Sequence, residues 1–198
     1  MATVKEQQQQ AFVRQRKLCI FGYSNTGKTA IVEQYTQGTF SHEHYPTTNK
    51  TSSKVCQRNG CDYLVHILDT VGQDECGFFD PQYTIGTDGY MLVYSVVSRE
   101  SFEMVKRIYN DLWAYTPLVP FVLVATKVDL THERVVTEQD GRALAAQWGC
   151  DYFEVTSRTG KSAANMIAQL LEKIDAMYDD SDTFFKPMPR QQQSCSVM

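Results

Sequence analysis

Apolar residues in this chain gather into short runs and helical stripes, separated by two long polar stretches. Leu18-Cys19-Ile20-Phe21 is a continuous apolar run of strand length, which reads as a parallel strand buried on both faces. Ala30-Ile31-Val32 and Tyr35 then recur at helical spacing. From Gln37 to Ser53 no period stands out, which predicts a long loop, and long loops in compact domains are usually functional. Lys54 to Gln57 and Asp62 to Leu68 flank Arg58-Asn59-Gly60-Cys61. Asn-Gly tolerates the positive φ of a type I′ turn, so this stretch predicts a β-hairpin.

Gln73 to Asp88 is again irregular, and Tyr90 to Val97 is a second buried strand. Phe102, Val105, Ile108, Tyr109, Leu112 and Trp113 form one buried stripe of a helix bounded by Pro117 and Pro120. Phe121 to Ala125 is a further strand. Thr137 with Asp140 three residues on is an N-cap signal for a helix to Trp148, which Gly149 ends. Tyr152 to Val155 is the last strand, and Met166, Ile167, Leu170, Leu171, Ile174 and Met177 line the final helix. This order predicts an α/β fold: an open, mostly parallel six-stranded sheet with one antiparallel edge strand and helices on both faces.

Composition adds little that is unusual. The chain has 198 residues, 42% hydrophobic and 21% charged, the make-up of one compact domain with short tails. Its net charge of −4 gives no reason to expect nucleic acid as a partner. No apolar run approaches the length needed to span a bilayer. Residues 1–16 are polar, lack the apolar core of a signal peptide and read as a disordered arm. Ala at position 2 excludes N-myristoylation. The predicted division is that arm, a folded domain over 17–178 and a flexible tail over 179–198. Five of the six cysteines are scattered without zinc-ligand pairing and read as reduced thiols of a cytosolic protein.

Four irregular motifs then follow predicted strands: 22–29, 69–72, 126–129 and 156–158. Ligands of open α/β sheets bind beyond the carboxyl ends of the strands, so the motifs converge on one site. Gly22-Tyr23-Ser24-Asn25-Thr26-Gly27-Lys28-Thr29 fits the pattern G-x-x-x-x-G-K-[ST]. It places a helix N-terminus, with unpaired N–H donors and partial positive charge, against a phosphate chain. Lys28 adds a full charge for the β- and γ-phosphates, and the Thr29 hydroxyl can ligate Mg²⁺. Asp69, opening Asp69-Thr70-Val71-Gly72, can hold Mg²⁺ through a water, while Gly72 can offer its N–H to a terminal phosphate. Asp129 in Thr126-Lys127-Val128-Asp129 can accept from N1–H and the 2-amino group of guanine; adenine would leave it unpaired. Taken alone, Asp129 could equally cap the loop before Leu130.

In this order, Gly22–Thr29, Thr47, Asp69–Gly72, Thr126–Asp129 and Thr156–Arg158 resemble the motifs of the Ras superfamily of small GTPases over residues 17 to 178. Within that superfamily the likeness runs to the Rheb type, through Asp69–Glu75, Gly89–Val96, Ser101-Phe102-Glu103 and the ending Cys195-Ser196-Val197-Met198. The resemblance implies GTP or GDP with Mg²⁺ as ligands, and slow GTP hydrolysis. By it, Ser24 and the amides from Asn25 through Thr26, Gly27, Lys28 and Thr29 to Ala30 cradle the phosphates. Thr29 and Thr47 ligate Mg²⁺ directly, and Thr47 and Gly72 sense the γ-phosphate, making loops 40–50 and 71–84 the two switches. Phe40 packs against the guanine, the Lys127 stem covers its face, Thr126 and Ser157 border it, and the Arg158 N–H donates to O6. Gln73 orients the attacking water, with Lys28 and Thr47 completing the catalytic set.

The departures from that pattern are specific. Ser24 and Asn25 replace glycines of Ras itself; both tolerate unusual backbone shapes, yet crowd the entry of an activator's arginine. Val71 replaces alanine, Thr126 replaces asparagine, and Arg158-Thr159 replaces Ala-Lys. Thr48-Asn49-Lys50 lacks the Ile-Glu of the effector loop. The C-terminus fits C-a-a-X, with Met198 favouring farnesyl on Cys195. One prenyl chain binds membranes reversibly, which implies exchange between cytosol and the cytoplasmic face of lysosome, Golgi and endoplasmic reticulum. The implied partners of this monomer are effector proteins (the target-of-rapamycin kinase complex among them), a GTPase-activating protein and an exchange factor. A pseudo-GTPase binding module held in one nucleotide state is the alternative; a kinase-type phosphotransferase lacks a visible arginine-rich lid.

Overall fold

A computed structural model describes residues 13–39, 49–73, 79–156 and 160–184. Its strands are β1 (Val13–Gly22), β2 (Lys50–Arg58), β3 (Cys61–Asp69), β4 (Gly89–Ser95), β5 (Phe121–Thr126) and β6 (Asp151–Glu154). Its helices are α1 (Lys28–Gln37), α2 (Arg99–Tyr115), α3 (Glu138–Trp148) and α4 (Gly160–Phe184). The sheet order is β2-β3-β1-β4-β5-β6. Only the edge strand β2 runs antiparallel, paired with β3; the other neighbours are parallel. This is the fold class that the pattern of apolar runs predicts.

The period-two geometry of a strand sends alternate residues to opposite faces, and β1 shows what that accomplishes. Leu18 and Ile20 join Ile31, Val32 and Tyr35 of α1 and Met166, Leu170 and Ile174 of α4 in one core. Cys19 and Phe21 join Phe102, Val105 and Ile108 of α2 and Leu144 of α3 in the other. All four β1 residues have no exposed surface; each large apolar side chain so buried stabilises the fold by roughly 1.5–3 kcal/mol. The turn between β2 and β3 has Asn59 at φ 49° and Gly60 at φ 76°, as a type I′ turn requires. In α3, the Thr137 hydroxyl accepts from the Asp140 N–H, and the Asp140 carboxylate accepts from the Thr137 N–H.

Three boundaries differ from the expectation. β1 starts at Val13 rather than beyond residue 16: Val13 to Arg16 pair with Asp62 to Val65 of β3. Arg16 lies 2.8 Å from Asp175 of α4, and Arg14 3.6 Å from the same carboxylate, so a polar segment becomes a strand through long-range partners. β2 starts at Lys50, inside the stretch predicted as loop. α4 continues past 178 to Phe184. Trp113, placed on the buried stripe of α2 by its spacing, is 49% exposed. The stripe ends at Leu112, and Tyr109 stacks on Trp148 of α3 with centroids 4.1 Å apart. Cys19, Cys56, Cys61 and Cys150 are free thiols. Among the described residues no helix is long and apolar enough to cross a membrane.

Candidate nucleotide-binding site

The carboxyl ends of the parallel strands β1, β3 and β5 bring residues 22–29, 69–73 and 126–129 to one edge of the sheet. The chain leaves β1 at Gly22, where a β-carbon would stand 2.1 Å from the Val93 carbonyl oxygen; only glycine permits that approach. Gly27 caps α1 in a left-handed conformation, φ 89°. Having no side chain, it leaves the first-turn N–H groups open to an anion. Asn25 also has positive φ, 59°, a shape that asparagine takes more readily than most residues. Ser24 and Asn25 are exposed and Thr26 is buried.

Lys28 is buried, its Nζ donating to the Gly22 and Tyr23 carbonyls at 2.9 Å each. Burial pushes its ammonium down to about 8, against an upward pull from the Asp69 carboxylate. Asp69 is itself 2% exposed. Burial raises its carboxyl above the usual range, opposed by a hydrogen bond from Thr29 and the charge of Lys28. Its Oδ1 has no hydrogen-bond partner. A buried carboxylate oxygen without a donor is costly, and on a carboxylate hydrogen-bonded to the Thr29 hydroxyl it completes the oxygen donors of a hard divalent cation.

Gly72 lies directly on the phosphate loop. A β-carbon there would come within 2.5 Å of Ser24 Cα and Oγ and 2.8 Å of Ser24 N. The next residue, Gln73, donates its N–H to the Gly22 carbonyl at 3.1 Å. The loop after β3 therefore senses the loop after β1 by contact, not through an intermediary. On the other side, Thr126 Oγ1 lies 2.6 Å from the Thr26 carbonyl and 3.0 Å from that of Tyr94. It is 4% exposed, so its hydroxyl ties the end of β5 to the phosphate loop. Lys127 has positive φ, 58°, and strain of that kind clusters at functional sites. Asp129 is exposed, and its Oδ1 accepts from the Thr156 hydroxyl at 3.1 Å. It is thus oriented from the end of β6, rather than merely capping its own loop.

Of the residues singled out in the sequence, the structure brings together Ser24, Asn25, Thr26, Gly27, Lys28, Thr29, Ala30, Asp69, Gly72, Gln73, Thr126, Lys127 and Asp129. Phe40, Thr47, Ser157, Arg158 and Cys195 lie outside the described residues. Two contributors escape sequence reasoning: the hydroxyl tie from Thr126, for which the substitution of asparagine was the only signal, and Asn49. Asn49 Oδ1 accepts from the Val71 N–H at 3.0 Å, and Nδ2 donates to the Tyr83 hydroxyl at 2.8 Å. A groove of about 410 Å³ between α2 and α3, lined by Arg99, Phe102, Lys106 and Trp148 among others, lies apart from these motifs.

A phosphate loop after β1, a buried carboxylate at the end of β3 and a carboxylate after β5, on this sheet order, define a P-loop GTPase. Comparison with known proteins agrees: residues 17–176 match the Ras family. The chain is 35% identical over 190 residues to the GTP-binding protein Rheb of Bos taurus, covering 93% of this chain and 98% of that protein. It is 37% identical over 164 residues to the GTP-binding protein Rheb homolog of Drosophila melanogaster, covering 82% and 90%. It is 34% identical over 171 residues to the GTP-binding protein rhb1 of Schizosaccharomyces pombe, covering 85% and 92%. The chain belongs to the Ras family. It is a Rheb-like small GTPase and binds guanine nucleotide.

Proposed function

We propose that this GTPase is a membrane-associated switch that binds GTP or GDP with Mg²⁺, hydrolyses GTP slowly and signals to effectors in the GTP state. The observation that carries the reading is the contact of Gly72 with Ser24. The loop after β3 thus touches the phosphate loop itself, so gain or loss of a terminal phosphoryl group bound there would act on it at first hand. Thr29, Asp69 and Thr47 are the residues for Mg²⁺, which would neutralise charge on the β- and γ-phosphates. Lys28 neutralises the same oxygens, the first-turn amides of α1 orient the chain, and Asp129 selects guanine. Gln73, whose N–H is anchored on Gly22, is the residue for orienting the attacking water. The side chains of Ser24 and Asn25 stand exposed over this region, which supports slow hydrolysis and an activator that does not use a Ras-type arginine.

Farnesylation at Cys195 would supply reversible membrane attachment to endomembranes. The likeness to Rheb proteins points to the target-of-rapamycin kinase complex as effector. The GTPase domain runs from β1, beginning at Val13, through α4, ending at Phe184, and the residues after it carry Cys195 as tether. Single-turnover hydrolysis of GTP with Mg²⁺, with and without a cell extract as source of activator, tests the switch. Slow release of phosphate that an extract accelerates is expected; no release under either condition would leave a nucleotide-binding module held in one state.

A further inference from the structure

We propose that Asn49 is a positioning residue that couples the two phosphate-sensing loops, through one side-chain amide bonded to both ends of the second. The inference rests on the switch reading above and concerns a residue that the reading does not use. Asn49 stands immediately before β2, two residues after Thr47 in the sequence. Its Oδ1 accepts from the Val71 N–H at 3.0 Å, one residue before Gly72 and two after Asp69. Its Nδ2 donates to the Tyr83 hydroxyl at 2.8 Å. A backbone N–H can only donate, so the amide oxygen must face Val71 and the amide nitrogen is left for the tyrosine. Both halves of the amide are thereby assigned by chemistry.

Both attachment points are themselves fixed to the nucleotide site. Gly72, next to Val71, lies on Ser24. The Tyr83 ring meets Phe21 edge-on with centroids 5.6 Å apart, and Phe21 is the residue before Gly22 of the phosphate loop. The Tyr83 carbonyl also accepts from the Thr87 hydroxyl at 2.7 Å. Asn49 therefore joins the chain at the start of β2 to Val71 and Tyr83, so that displacing the chain at 49 displaces both. The glutamate of the Ras-type effector loop is one methylene longer, whereas the shorter Asn49 side chain bonds Val71 and Tyr83 at once.

The test uses the full chain loaded with nucleotide. Asn49→Ala is expected to slow single-turnover GTP hydrolysis by about three- to tenfold, the scale of two exposed neutral hydrogen bonds. GDP affinity and the thermal midpoint of the GDP form are expected to stay near wild type. Asn49→Asp, which can accept from both Val71 N–H and Tyr83 O–H, is expected to restore the rate to within about twofold. Tyr83→Phe is expected to slow hydrolysis less, and to add nothing in the Asn49→Ala background. Amide hydrogen exchange of the GDP-loaded protein supplies a readout independent of hydrolysis: Asn49→Ala is expected to speed exchange at 71–73 and 79–84 together. An unchanged rate, an equal loss of GDP affinity, failure of the Asp variant to rescue, multiplying effects of the two substitutions, or exchange altered in one segment alone would each overturn the coupling. A wild-type chain that hydrolyses no GTP would refute the switch reading instead, and the exchange measurement would still decide the role of Asn49.

Discussion

Replacing Thr126 by valine tests how the end of β5 is joined to the phosphate loop. The swap keeps volume and β-branching, so packing at the end of β5 and strand propensity are conserved. What it removes is one hydroxyl, whose proton is shared between the Thr26 carbonyl at 2.6 Å and the Tyr94 carbonyl at 3.0 Å. The side chain is 4% exposed, so water does not replace the lost donor. A buried acceptor left without its donor costs about 1–3 kcal/mol. Carbonyl oxygens have a second lone pair, which favours the lower half of that range, about 1–2 kcal/mol. For a domain of this size that lowers the thermal midpoint by about 2–8 °C. Because Thr26 sits within the phosphate loop, the same change is expected to weaken GDP binding by about three- to tenfold. Thermal unfolding of the GDP-loaded variant and displacement of a fluorescent GDP measure the two effects. A midpoint unmoved within 1 °C together with unaltered GDP affinity would refute the tie.

Three further outcomes follow from the same geometry. Gly72→Ala is expected to destabilise the GDP form by about 1–3 kcal/mol in urea unfolding, as overpacking does. Ser24→Gly is not expected to rescue it, because two of the three close atoms are backbone; full rescue would place the clash elsewhere. Asp129→Asn is expected to shift binding from guanine towards xanthine nucleotides, read by competition of XDP and GDP; retained guanine preference would remove Asp129 from base reading. Asp140 is held below its usual value of 3.8, first by the Thr137 hydroxyl and backbone N–H, then by Arg99. Its contribution to stability is whole above about pH 4 and lost as pH falls through the folded value. Asp140→Asn is therefore expected to lower the melting temperature at pH 7 and to differ less from wild type as pH approaches 2; a difference constant with pH would contradict this.

Local chemistry explains which parts of the molecule are legible in the sequence. The motif at 22–29, the Asn59-Gly60 turn and the Thr137–Asp140 capping box each act within a few residues, and each stands where its pattern predicts. Val13 to Arg16 show the opposite case. Nothing local marks Val-Arg-Gln-Arg as strand; β3 and the Asp175 carboxylate of α4, far along the chain, make it one. Trp113 fits a helical stripe by spacing, but its face of α2 runs out of partners beyond Leu112, and the ring remains half exposed. Asn49 and Thr126 read as departures from a family pattern, and their meaning lies in partners 22 to 100 residues distant. Periodicity carries no information about such pairs.

The central claim is that the strand-end site reads a guanine triphosphate through Asp129 and the 22–29 loop. Competition for a bound fluorescent GDP by GTP and by ATP, each with Mg²⁺, measures it most directly. Displacement by GTP near stoichiometry, with ATP needing at least about a thousandfold excess, is the result expected of a site that would leave a carboxylate unpaired against adenine. Displacement by ATP at concentrations comparable to GTP would contradict the account.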